Sequence, residues 1–398
     1  MSNRIIAIFT GNRAEYGLQL PIIRAIDLHP QLTYRLIASG AHLDPDFGQT
    51  RAEIEGDKIK IYDEAEILMD ESVPYATPQA ISSVIVSVAK ILSNLKPDFF
   101  VVYADRFEGF AALIAATQMN IPTAHIEGGD VTEGGALDDS VRHSMTKLAH
   151  LHFTTNEEAS RRIISMGEEP WRVKTVGFPA IDLIKAGEYA SPGQIKNLFS
   201  SDLRKTVIVF TQHSVTTEHT EAAEQIRPSI AELSRRAMDG NQVIISYPNN
   251  DAGGRDIISI LENFMSDAPV GLQLHRSMGR YYYHGLLALA LTDTKVVCAG
   301  NSSSGIKETP AFGCPTVNIG SRQEKRLRAD NILDVNYDEN EIYAAINSGI
   351  NDKAFCIKSK SSKNPYGMGN AGKKIAEVLA NIPINKDLIR KRMTIDGS

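Results

Sequence analysis

Short runs of β-branched, apolar residues alternate along the chain with longer segments that have helical periodicity. In residues 79–95, for example, Val84, Val88 and Ile91 recur at helical spacing. Apolar strands separated by amphipathic helices are typical of parallel βα units, in which helices cover both faces of the sheet. The pattern therefore predicts an α/β architecture.

This alternation occurs twice, once in each half of the chain. The strands predicted in the first half are residues 4–10, 33–39, 98–103, 123–126 and 151–154. The strands predicted in the second half are residues 207–211, 243–246, 272–275, 296–299 and 316–319. Helices are expected in the second half near residues 218–237, 281–291 and 306–312. Two doubly wound sheets follow from this pattern.

The two sheets predict two domains with a linker and a C-terminal segment. We expect an N-terminal Rossmann-like domain in residues 1–186 and a C-terminal one in 203–365. Gly, Pro and Ser interrupt the periodicity in residues 187–202, which predicts a linker there. Residues 366–398 are expected to be helical, and the basic residues 390–392 are expected to form a solvated helix end.

Composition limits the partners of the chain. Among 398 residues, 42 Lys and Arg oppose 48 Asp and Glu, and this net charge of −6 offers no general attraction to nucleic acid or to an anionic membrane. Three cysteines without a C-x-x-C pair predict buried thiols in a reducing compartment. Because no apolar run approaches the roughly 20 residues of a membrane span, we expect a soluble, cytoplasmic protein.

Polar loops at strand ends are the candidate sites. Residues 10–17 (TGNRAEYG) lack the Lys of a P-loop and the G-x-G-x-x-G of a dinucleotide site, but Gly11 and Arg13 at a helix start suit an anion. Residues 300–305 (GNSSSG) offer hydroxyl and backbone donors to a phosphate, and Glu308 can accept hydrogen bonds from ribose hydroxyls. Helix capping would explain only one residue of that serine run.

Acidic residues, arginines and histidines follow several other strands. Residues 105–106 (DR), 125–130 (HIEGGD) and 138–143 (DDSVRH) contain acid–base groups beside cations, a combination that serves either catalysis or structural salt bridges. His213 ends a strand of the second half. No metal site is predicted, since the H-L-H of residues 150–152 has no third ligand at a recognisable spacing.

Ten motifs then occur in the order that is typical of one family. They are GNRAEYG (11–17), GAHL with FGQT (40–43 and 47–50), ADR (104–106), HIEGG (125–129), DDSVRH (138–143), QHSVTT (212–217), PNNDAG (248–253), GNSSSG (300–305), GSRQ (320–323) and NPYG (364–367). From Gly11 to about Ile375, the chain resembles the hydrolysing UDP-N-acetylglucosamine (UDP-GlcNAc) 2-epimerases, which include bacterial enzymes of sialic acid biosynthesis.

The resemblance implies a fold and a reaction. The fold is glycosyltransferase-B-like, with two Rossmann-like domains facing a shared cleft and a C-terminal helix crossing back onto the first domain. The reaction is UDP-GlcNAc + H2O → N-acetylmannosamine (ManNAc) + UDP, by anti elimination of UDP to a 2-acetamidoglucal and addition of water. A homo-oligomer is implied, and neither a metal nor a nicotinamide cofactor is.

The resemblance also assigns roles to residues at matching motif positions. UDP-binding positions are Arg13, Ala14, Gly17, Ser302, Ser303 and Glu308, with Glu308 at the ribose. Catalytic positions are Asp105, Glu127, Asp138, Arg142 and His213. Further cleft residues are His42, Arg106, Asn249 and Arg322. The sequence leaves open which catalytic residue is the base and which is the acid.

The chain departs from the family pattern at three places. Ser214 stands where Pro commonly follows the His, Ala104 replaces a common Gly, and Gly134 and Gly135 lengthen a loop near the expected sugar site. The substrate therefore stays open between UDP-GlcNAc and UDP-2,4-diacetamido-2,4,6-trideoxyglucose, the substrate of relatives in legionaminic acid biosynthesis. A glycosyltransferase of the same fold and a catalytically silent UDP-sugar sensor are the other hypotheses.

Overall fold

The computed structural model describes residues 3–43, 51–68, 73, 75–132, 137–249 and 251–395. Within these residues thirteen strands form two parallel sheets. The strands are β1 Arg4–Thr10, β2 Leu32–Ser39, β3 Ile61–Ala65, β4 Phe99–Tyr103, β5 Thr123–Ile126, β6 Leu151–Thr154, β7 Val173–Thr175, β8 Val207–Thr211, β9 Gln242–Ser246, β10 Leu272–His275, β11 Val296–Gly300, β12 Thr316–Ile319 and β13 Ile332–Val335.

Helices connect successive strands of both sheets. The α-helices are α1 Arg13–Asp27, α2 Arg51–Gly56, α3 Ala76–Leu95, α4 Phe107–Gln118, α5 Leu137–Leu148, α6 Glu157–Ser165, α7 Ala180–Lys185, α8 Pro192–Leu198, α9 Ala222–Met238, α10 Gly254–Met265, α11 Gly279–Ala288, α12 Ser303–Lys307, α13 Thr309–Phe312, α14 Glu339–Asn351, α15 Lys353–Lys360, α16 Ala371–Asn381 and α17 Lys386–Ile389. Short 3-10 helices are Gly40–His42, Pro170–Arg172, Thr216–Glu221 and Leu289–Leu291.

The chain forms two compact units, each built on one sheet. The first comprises the described residues of Met1–Asp130, Leu137–Asp182 and Gly369–Ser398; the second comprises Leu183–Met368 with Val131 and Thr132. The first sheet has the order β3-β2-β1-β4-β5-β6-β7, and the second has the order β10-β9-β8-β11-β12-β13. Both are Rossmann-like orders: the chain adds strands from the centre of the sheet to one edge, then returns to the centre and adds strands to the other edge. The predicted α/β class with two doubly wound sheets is confirmed.

The strands that the apolar pattern fails to indicate are edge strands. β3 (IYDEA) and β7 (VKT) lie at the two edges of the first sheet, and β13 (ILDV) lies at one edge of the second. Edge strands are partly exposed and pair on one side only, so they need no continuous apolar run. The interior strands, by contrast, are buried almost throughout, as their sequences predict.

Residues 187–202, the predicted linker, are structured instead. Ser191 caps α8 in a capping box with Gln194. Ile195 and Phe199 are buried in a core of the second unit. The Gly, Pro and Ser of this segment therefore mark the start of a short helix, since Pro and Ser are favoured at a helix N-terminus.

The C-terminal helix α16 packs against α1 within the first unit. A Cβ on Gly372 would lie 2.5 Å from the carbonyl oxygen of Pro21, so this close approach requires glycine. The Asp182 carboxylate accepts the backbone N–H groups of Ala371 and Gly372 at 3.0 and 2.8 Å. The Arg4 side chain donates to backbone carbonyl oxygens at the C-terminal end of α16.

Of the basic residues 390–392, Arg390 and Arg392 are exposed at the end of α17, as the sequence predicts, whereas Lys391 is not solvated. α17 ends at Ile389, and the Lys391 ammonium donates to the carbonyl oxygens of Lys147 and Ala149, both at 2.7 Å. It also lies 2.8 Å from the fully buried Glu168 carboxylate. Burial lowers the pKa of Lys391 to about 8. Lys391 therefore neutralises the C-terminal end of α5.

Helix α3 corrects the expectation that no segment has the length of a membrane span. Within the described part of the chain, α3 is long and apolar enough to cross a membrane by length and composition. Its apolar character is one-sided, because Val84, Val88 and Leu92 face the core of the first unit while Ser82, Lys90 and Ser93 are exposed. This pattern is typical of an amphipathic helix covering a sheet.

Candidate active site

Several candidate residues lie where the strand order of each sheet reverses, and others follow the strands next to that point. The neighbours at the reversal are β1 and β4 in the first sheet and β8 and β11 in the second. Ligands of open parallel sheets bind outside the carboxyl ends of the strands at this switch point. The loops after these four strands contain Gly11, Asp105, His213 and Ser302. Both units thus place predicted site residues at the position that the topology favours.

A buried carboxyl group braces the loop after β1. The Asn12 side chain caps α1 by accepting the N–H of Glu15 at 3.0 Å, and Glu15 Oε2 accepts the N–H of Gly11 at 3.0 Å. Burial, followed by the neighbouring Glu108 carboxylate, raises the pKa of Glu15 to about 8. A protonated Glu15 therefore holds the loop backbone at neutral pH without adding a charge.

The side chain of Asp105, in the loop after β4, is held in place by an ion pair. The Arg142 guanidinium pairs with the carboxylates of Asp105 and Asp139, and it donates to the carbonyl oxygen of Asp130 at 2.9 Å. The Arg142 side chain is 4% exposed and that of Asp105 is 19% exposed. Arg142 therefore fixes the charge and orientation of Asp105 from the buried side.

Glu127, after β5, is held in an unusual backbone conformation. Its φ is +65°, a region that non-glycine residues rarely adopt and that costs energy outside a constrained site. The buried Tyr103 hydroxyl donates to its carboxylate. Burial and then the Glu127 charge raise the pKa of Tyr103 well above its usual value, so the phenol stays a donor.

Ala104 explains one departure from the family pattern. Its φ is +56°, which is a left-handed conformation that glycine adopts without strain, so the common glycine at this position has a physical reason. His125 Nε2 donates to the Ala104 carbonyl oxygen at 2.6 Å. The turn between β4 and Asp105 is therefore held from the neighbouring strand β5.

The other candidates of the first unit differ in exposure. His42 is fully buried beneath the first loop, where its Nε2 lies 3.1 Å from Thr10 Oγ1, and burial lowers its pKa to about 4. Arg106 is half exposed and pairs with buried Glu108 at 3.2 Å. Asp138 is exposed in the first turn of α5. His42 thus supports the site from below, whereas Arg106 and Asp138 lie at its surface.

In the second unit, Asn301 joins the two loops of the switch point. Its Oδ1 accepts the backbone N–H of His213 at 2.7 Å, and its Nδ2 donates to the His213 carbonyl oxygen at 2.8 Å. A Cβ on the preceding Gly300 would lie 2.0 Å from the Thr211 carbonyl oxygen, so this approach of β11 to β8 requires glycine. Asn301 is therefore a brace between loops and not a helix cap.

The His213 imidazole is neutral with its proton on Nε2. Its Nδ1 accepts the backbone N–H of Asn249 at 2.9 Å, which assigns the tautomer. Burial, together with the positive charge of Arg322, lowers the pKa of His213 to about 3. At neutral pH the ring therefore offers an Nε2–H donor and has little capacity as a base.

Arg322 and Asn249 form a polar group around His213. The Arg322 guanidinium donates to the Asn301 carbonyl oxygen at 3.4 Å and lies 3.6 Å from the Asp251 carboxylate. Asn249 Nδ2 donates to the same carboxylate at 2.5 Å. The structure thus brings together three residues that the sequence separates into three motifs.

The serine-rich turn leads from β11 into α12. Ser302 is the N-cap residue, but its side chain makes no capping hydrogen bond, and its Oγ lies 2.9 Å from Ser304 Oγ. Ser303 begins α12, and Glu308 follows that helix with its side chain 12% exposed. These hydroxyl groups and this carboxylate are thus not consumed by helix capping.

Several residues important to the geometry are given no individual role by the sequence. They are Tyr103, Asp130, Asp139, His284 and Asn301. Tyr103 and His284 lie in apolar segments, where aromatic residues are expected in any core. Asp130, Asp139 and Asn301 lie inside the quoted motifs, but their roles depend on contacts with distant segments.

Some sequence features fall outside the described residues. These are the motif positions 47–50 and 250, the lengthened loop at Gly134 and Gly135, and the side chains of Arg13 and Ala14. Of the predicted UDP positions in the first unit, Arg13 begins α1 and Gly17 lies one turn further along it.

Two Rossmann-like sheets with polar groups at both switch points define an α/β enzyme of glycosyltransferase-B-like fold. A family model described as UDP-N-acetylglucosamine 2-epimerase matches residues 24–380. The chain belongs to this family and is an enzyme that acts on a UDP-sugar, as the ordered motifs predict.

Known proteins of this family are similar over most of the chain. A GDP/UDP-N,N'-diacetylbacillosamine 2-epimerase (hydrolyzing) of Campylobacter jejuni is 33% identical over 84% of this chain and 85% of its own. A UDP-N,N'-diacetylbacillosamine 2-epimerase (hydrolyzing) of Legionella pneumophila is 30% identical over 98% of both chains. The crystal structure of a Neisseria meningitidis UDP-GlcNAc 2-epimerase bound to UDP-GlcNAc has a TM-score of 0.79 at 21% identity, covering 94% of this chain and 99% of its own.

Proposed function

We propose that this enzyme converts UDP-GlcNAc and water into ManNAc and UDP, a hydrolysing 2-epimerisation that supplies ManNAc for nonulosonic acid biosynthesis. The observation that supports this best is that the two units hold different kinds of chemical group among the described site residues. Held carboxylates, Asp105 and Glu127, follow the neighbouring strands β4 and β5 of the first sheet, whereas hydroxyl groups, a neutral imidazole and Glu308 follow β8 and β11 of the second. The reaction needs both kinds of group.

The first step is anti elimination of UDP. A base removes the C2 proton, the C1–O bond to the diphosphate breaks, and a C1=C2 double bond forms to give the 2-acetamidoglucal and UDP. We assign the base to Glu127, because a neutral phenol holds its carboxylate in place. Asp105 is held charged by Arg142 and stabilises the positive charge that develops at C1.

The departing UDP needs donors for its charge and an acceptor for its ribose. We assign the diphosphate to Arg13, Ser302 and Ser303, with the Nε2–H of His213 donating to the leaving oxygen. Glu308 accepts hydrogen bonds from the ribose hydroxyls. None of these groups has to change its protonation state to hold UDP.

The second step adds water across the double bond. The water oxygen bonds to C1 and a proton bonds to C2, which gives ManNAc with one water consumed and no net oxidation. Because inversion places the new C2 proton on the face opposite to the one removed, a group other than Glu127 must supply it. We assign this proton transfer to Asp138, the remaining catalytic carboxylate, which is exposed in the first turn of α5. The Asp138 carboxylate takes one proton from the attacking water and passes it to C2, so it ends the step ionised, as it began. The proton that Glu127 removed in the first step is released to solvent.

A second substrate is favoured by two relatives. The Campylobacter and Legionella enzymes, at 33% and 30% identity, are named for UDP-N,N'-diacetylbacillosamine, a 2,4-diacetamido sugar nucleotide. The second candidate function is therefore the same reaction on UDP-2,4-diacetamido-2,4,6-trideoxyglucose. It differs from the first at C4 and C6, away from the reacting C1 and C2.

One experiment tests the reaction and the substrate together. The purified enzyme is incubated in D2O with each of the two sugar nucleotides, and products are followed by NMR. We expect UDP release with one deuterium at C2 of the free 2-epimerised sugar, and a higher kcat/KM for UDP-GlcNAc. The Glu127→Gln variant serves as the control, because its UDP release should fall by about 10³-fold with either substrate.

The outcomes separate the hypotheses. Turnover of the diacetamido substrate alone would favour the second candidate, and return of a 2-epimerised sugar still attached to UDP would contradict hydrolysis. Failure to release UDP from both would contradict the proposed reaction. The homo-oligomer implied by the resemblance stays a prediction, which light scattering of the purified protein tests.

A further inference from the structure

A buried histidine lies directly behind the carboxylate assigned to the ribose. His284, on α11, places its Nε2 2.8 Å from Glu308 Oε2. The His284 side chain is 1% exposed and that of Glu308 is 12% exposed. The imidazole therefore contacts the carboxylate from the core side and leaves its outer part open to a ligand.

The geometry makes His284 a single hydrogen-bond donor. Its Nδ1 is buried and has no hydrogen-bond partner among the described residues, so a second N–H there would lack an acceptor. The ring packs against Phe312, with centroids 5.7 Å apart, which restricts its rotation. A ring fixed in this way holds the Nε2–H towards Glu308.

The neighbouring residue extends the same support to the serine turn. The Tyr283 hydroxyl lies 2.8 Å from Ser304 Oγ, which in turn lies 2.9 Å from Ser302 Oγ. Burial raises the pKa of Tyr283 well above its usual value, so the phenol stays protonated. Two consecutive residues of α11 therefore hold groups at the beginning and the end of α12.

We propose that His284 is a positioning residue that fixes the Glu308 carboxylate as the acceptor for the ribose hydroxyls of UDP. The inference rests on the proposed function, in which Glu308 binds the ribose. A carboxylate already held in its bound orientation loses little rotational freedom when the ligand arrives, so its hydrogen bonds contribute more to affinity. Without the donor, Glu308 would rotate among several conformers.

The test compares UDP with 2′,3′-dideoxy-UDP, which lacks both ribose hydroxyls. His284→Phe keeps a ring against Phe312 and removes the donor, whereas His284→Gln restores an N–H within reach of Glu308. Isothermal titration calorimetry gives both dissociation constants for each protein. We expect wild type to prefer UDP by about 10-fold, His284→Phe to lose most of this preference, and His284→Gln to keep it. Binding of the dideoxy ligand should change less than about two-fold.

A second variant without the donor tests whether misfolding explains the result for His284→Phe. In His284→Asn the side-chain amide reaches only the position of Nδ1, so this variant should match His284→Phe. A merely structural role would lower the melting temperature and weaken both ligands equally, which leaves the preference unchanged and overturns the inference. Equal affinity of wild type for the two ligands would also overturn it. If wild type still releases UDP from a UDP-sugar in either case, the proposed function stands.

Discussion

The two switch points of this enzyme hold their polar groups in different ways. At the first, charged side chains are paired in place: Asp105 with Arg142, and Glu127 with the Tyr103 phenol. At the second, Asn301 joins the loops and His213 is a neutral donor. Paired charges suit groups that meet developing charge at the sugar or exchange a proton during a reaction, whereas neutral donors suit the diphosphate, which gains negative charge as it leaves without taking up a proton.

This difference indicates which substitutions should change the rate of the reaction and which should change the affinity for UDP. Held charges in the first unit are costly to bury, and buried charges with perturbed environments are concentrated at functional sites. Donors of the second unit keep one protonation state across neutral pH. Substitutions of the held carboxylates in the first unit should therefore affect turnover more than UDP affinity, and those in the second unit should include variants that do the reverse.

The largest expected effect comes from removing a charge at the first switch point. Glu127→Gln keeps the side-chain size and an acceptor for Tyr103 but cannot take up a proton, so kcat for UDP release should fall by about 10³-fold. The dissociation constant of UDP, measured by calorimetry, should change less than about two-fold.

Asp139→Asn is the matched control for this prediction. Asp139 also contacts Arg142, as Asp105 does, but no role in the reaction is assigned to it. We expect its kcat to fall by about 10-fold at most, through a looser hold of Arg142 on Asp105. An equal loss in both variants, or loss of UDP binding in Glu127→Gln, would break the separation between the units.

The next largest effect is expected at His213. His213→Asn offers an acceptor to the Asn249 N–H but no replacement for Nε2–H, so kcat should fall by about 10²-fold. Because burial and Arg322 lower the pKa of His213 to about 3, the kcat/KM profiles of wild type and variant should keep the same shape between about pH 5 and 8. A limb of the profile that disappears in the variant would show that His213 titrates there.

Ser302→Ala should affect binding and leave stability unchanged. An N-cap serine that caps its helix usually contributes about 1 kcal/mol, but Ser302 makes no capping hydrogen bond. We expect UDP to bind about 5- to 10-fold more weakly and the free energy of unfolding to change by less than about 0.5 kcal/mol. Both are measurable by calorimetry and by denaturant unfolding.

Ser191→Ala is its opposite control in the same unit. Ser191 caps α8 in a capping box, so its loss should destabilise the protein by about 1 kcal/mol and leave UDP affinity unchanged. If Ser302→Ala destabilised the protein as Ser191→Ala does, a capping role would explain Ser302 and the assignment to the diphosphate would lose its basis.

The same contrast explains how much the sequence could predict. Interior strands such as β4 and β8 are fully buried, so their apolar runs are long enough to recognise. β3 reads IYDEA because an edge strand tolerates polar residues on its exposed positions. The positions of Asp105 and His213 follow from the strand ends, because parallel strands deliver their loops to one edge of the sheet.

The partners of the site residues could not be predicted in the same way. Asn301 precedes a helix in sequence and resembles a cap, yet it bonds to a loop 88 residues away. His284 lies in the aromatic and apolar segment YYYHGLL, where burial alone explains it until α11 is seen against Glu308. The solvated end expected at residues 390–392 is wrong only for Lys391, because tertiary packing brings this residue onto the buried Glu168. Such contacts depend on the packing of distant segments, which local patterns do not encode.

The smallest expected effect is a pH dependence of the stability of the folded protein, and it arises in the first unit. Burial and Glu108 raise the pKa of Glu15 to about 8, above its unfolded value of 4.5. The folded state therefore binds a proton more tightly than the unfolded state, and its stability falls as pH rises from about 4.5 to about 8 and then levels off. Glu15→Gln removes this dependence, so its melting temperature should exceed that of wild type by several degrees at about pH 8.5, and the difference should shrink steadily towards about pH 4.5.

Glu168→Gln provides a control of opposite sign in the same unit. Although burial raises the pKa of Glu168, hydrogen bonds from His152, Lys147 and Lys391 lower it to about 2. Its stabilising contribution is present above the unfolded pKa and is lost only in acid, so Glu168→Gln should lower the melting temperature by a similar amount at about pH 5.5 and 7.0, where Lys391, with a pKa of about 8, is still charged. Parallel curves for wild type and Glu15→Gln would show that Glu15 is ionised in the folded protein. The loop after β1 would then contain the charge of the Glu15 carboxylate. The first unit would have one more ionised group than its hydrogen-bond pattern indicates.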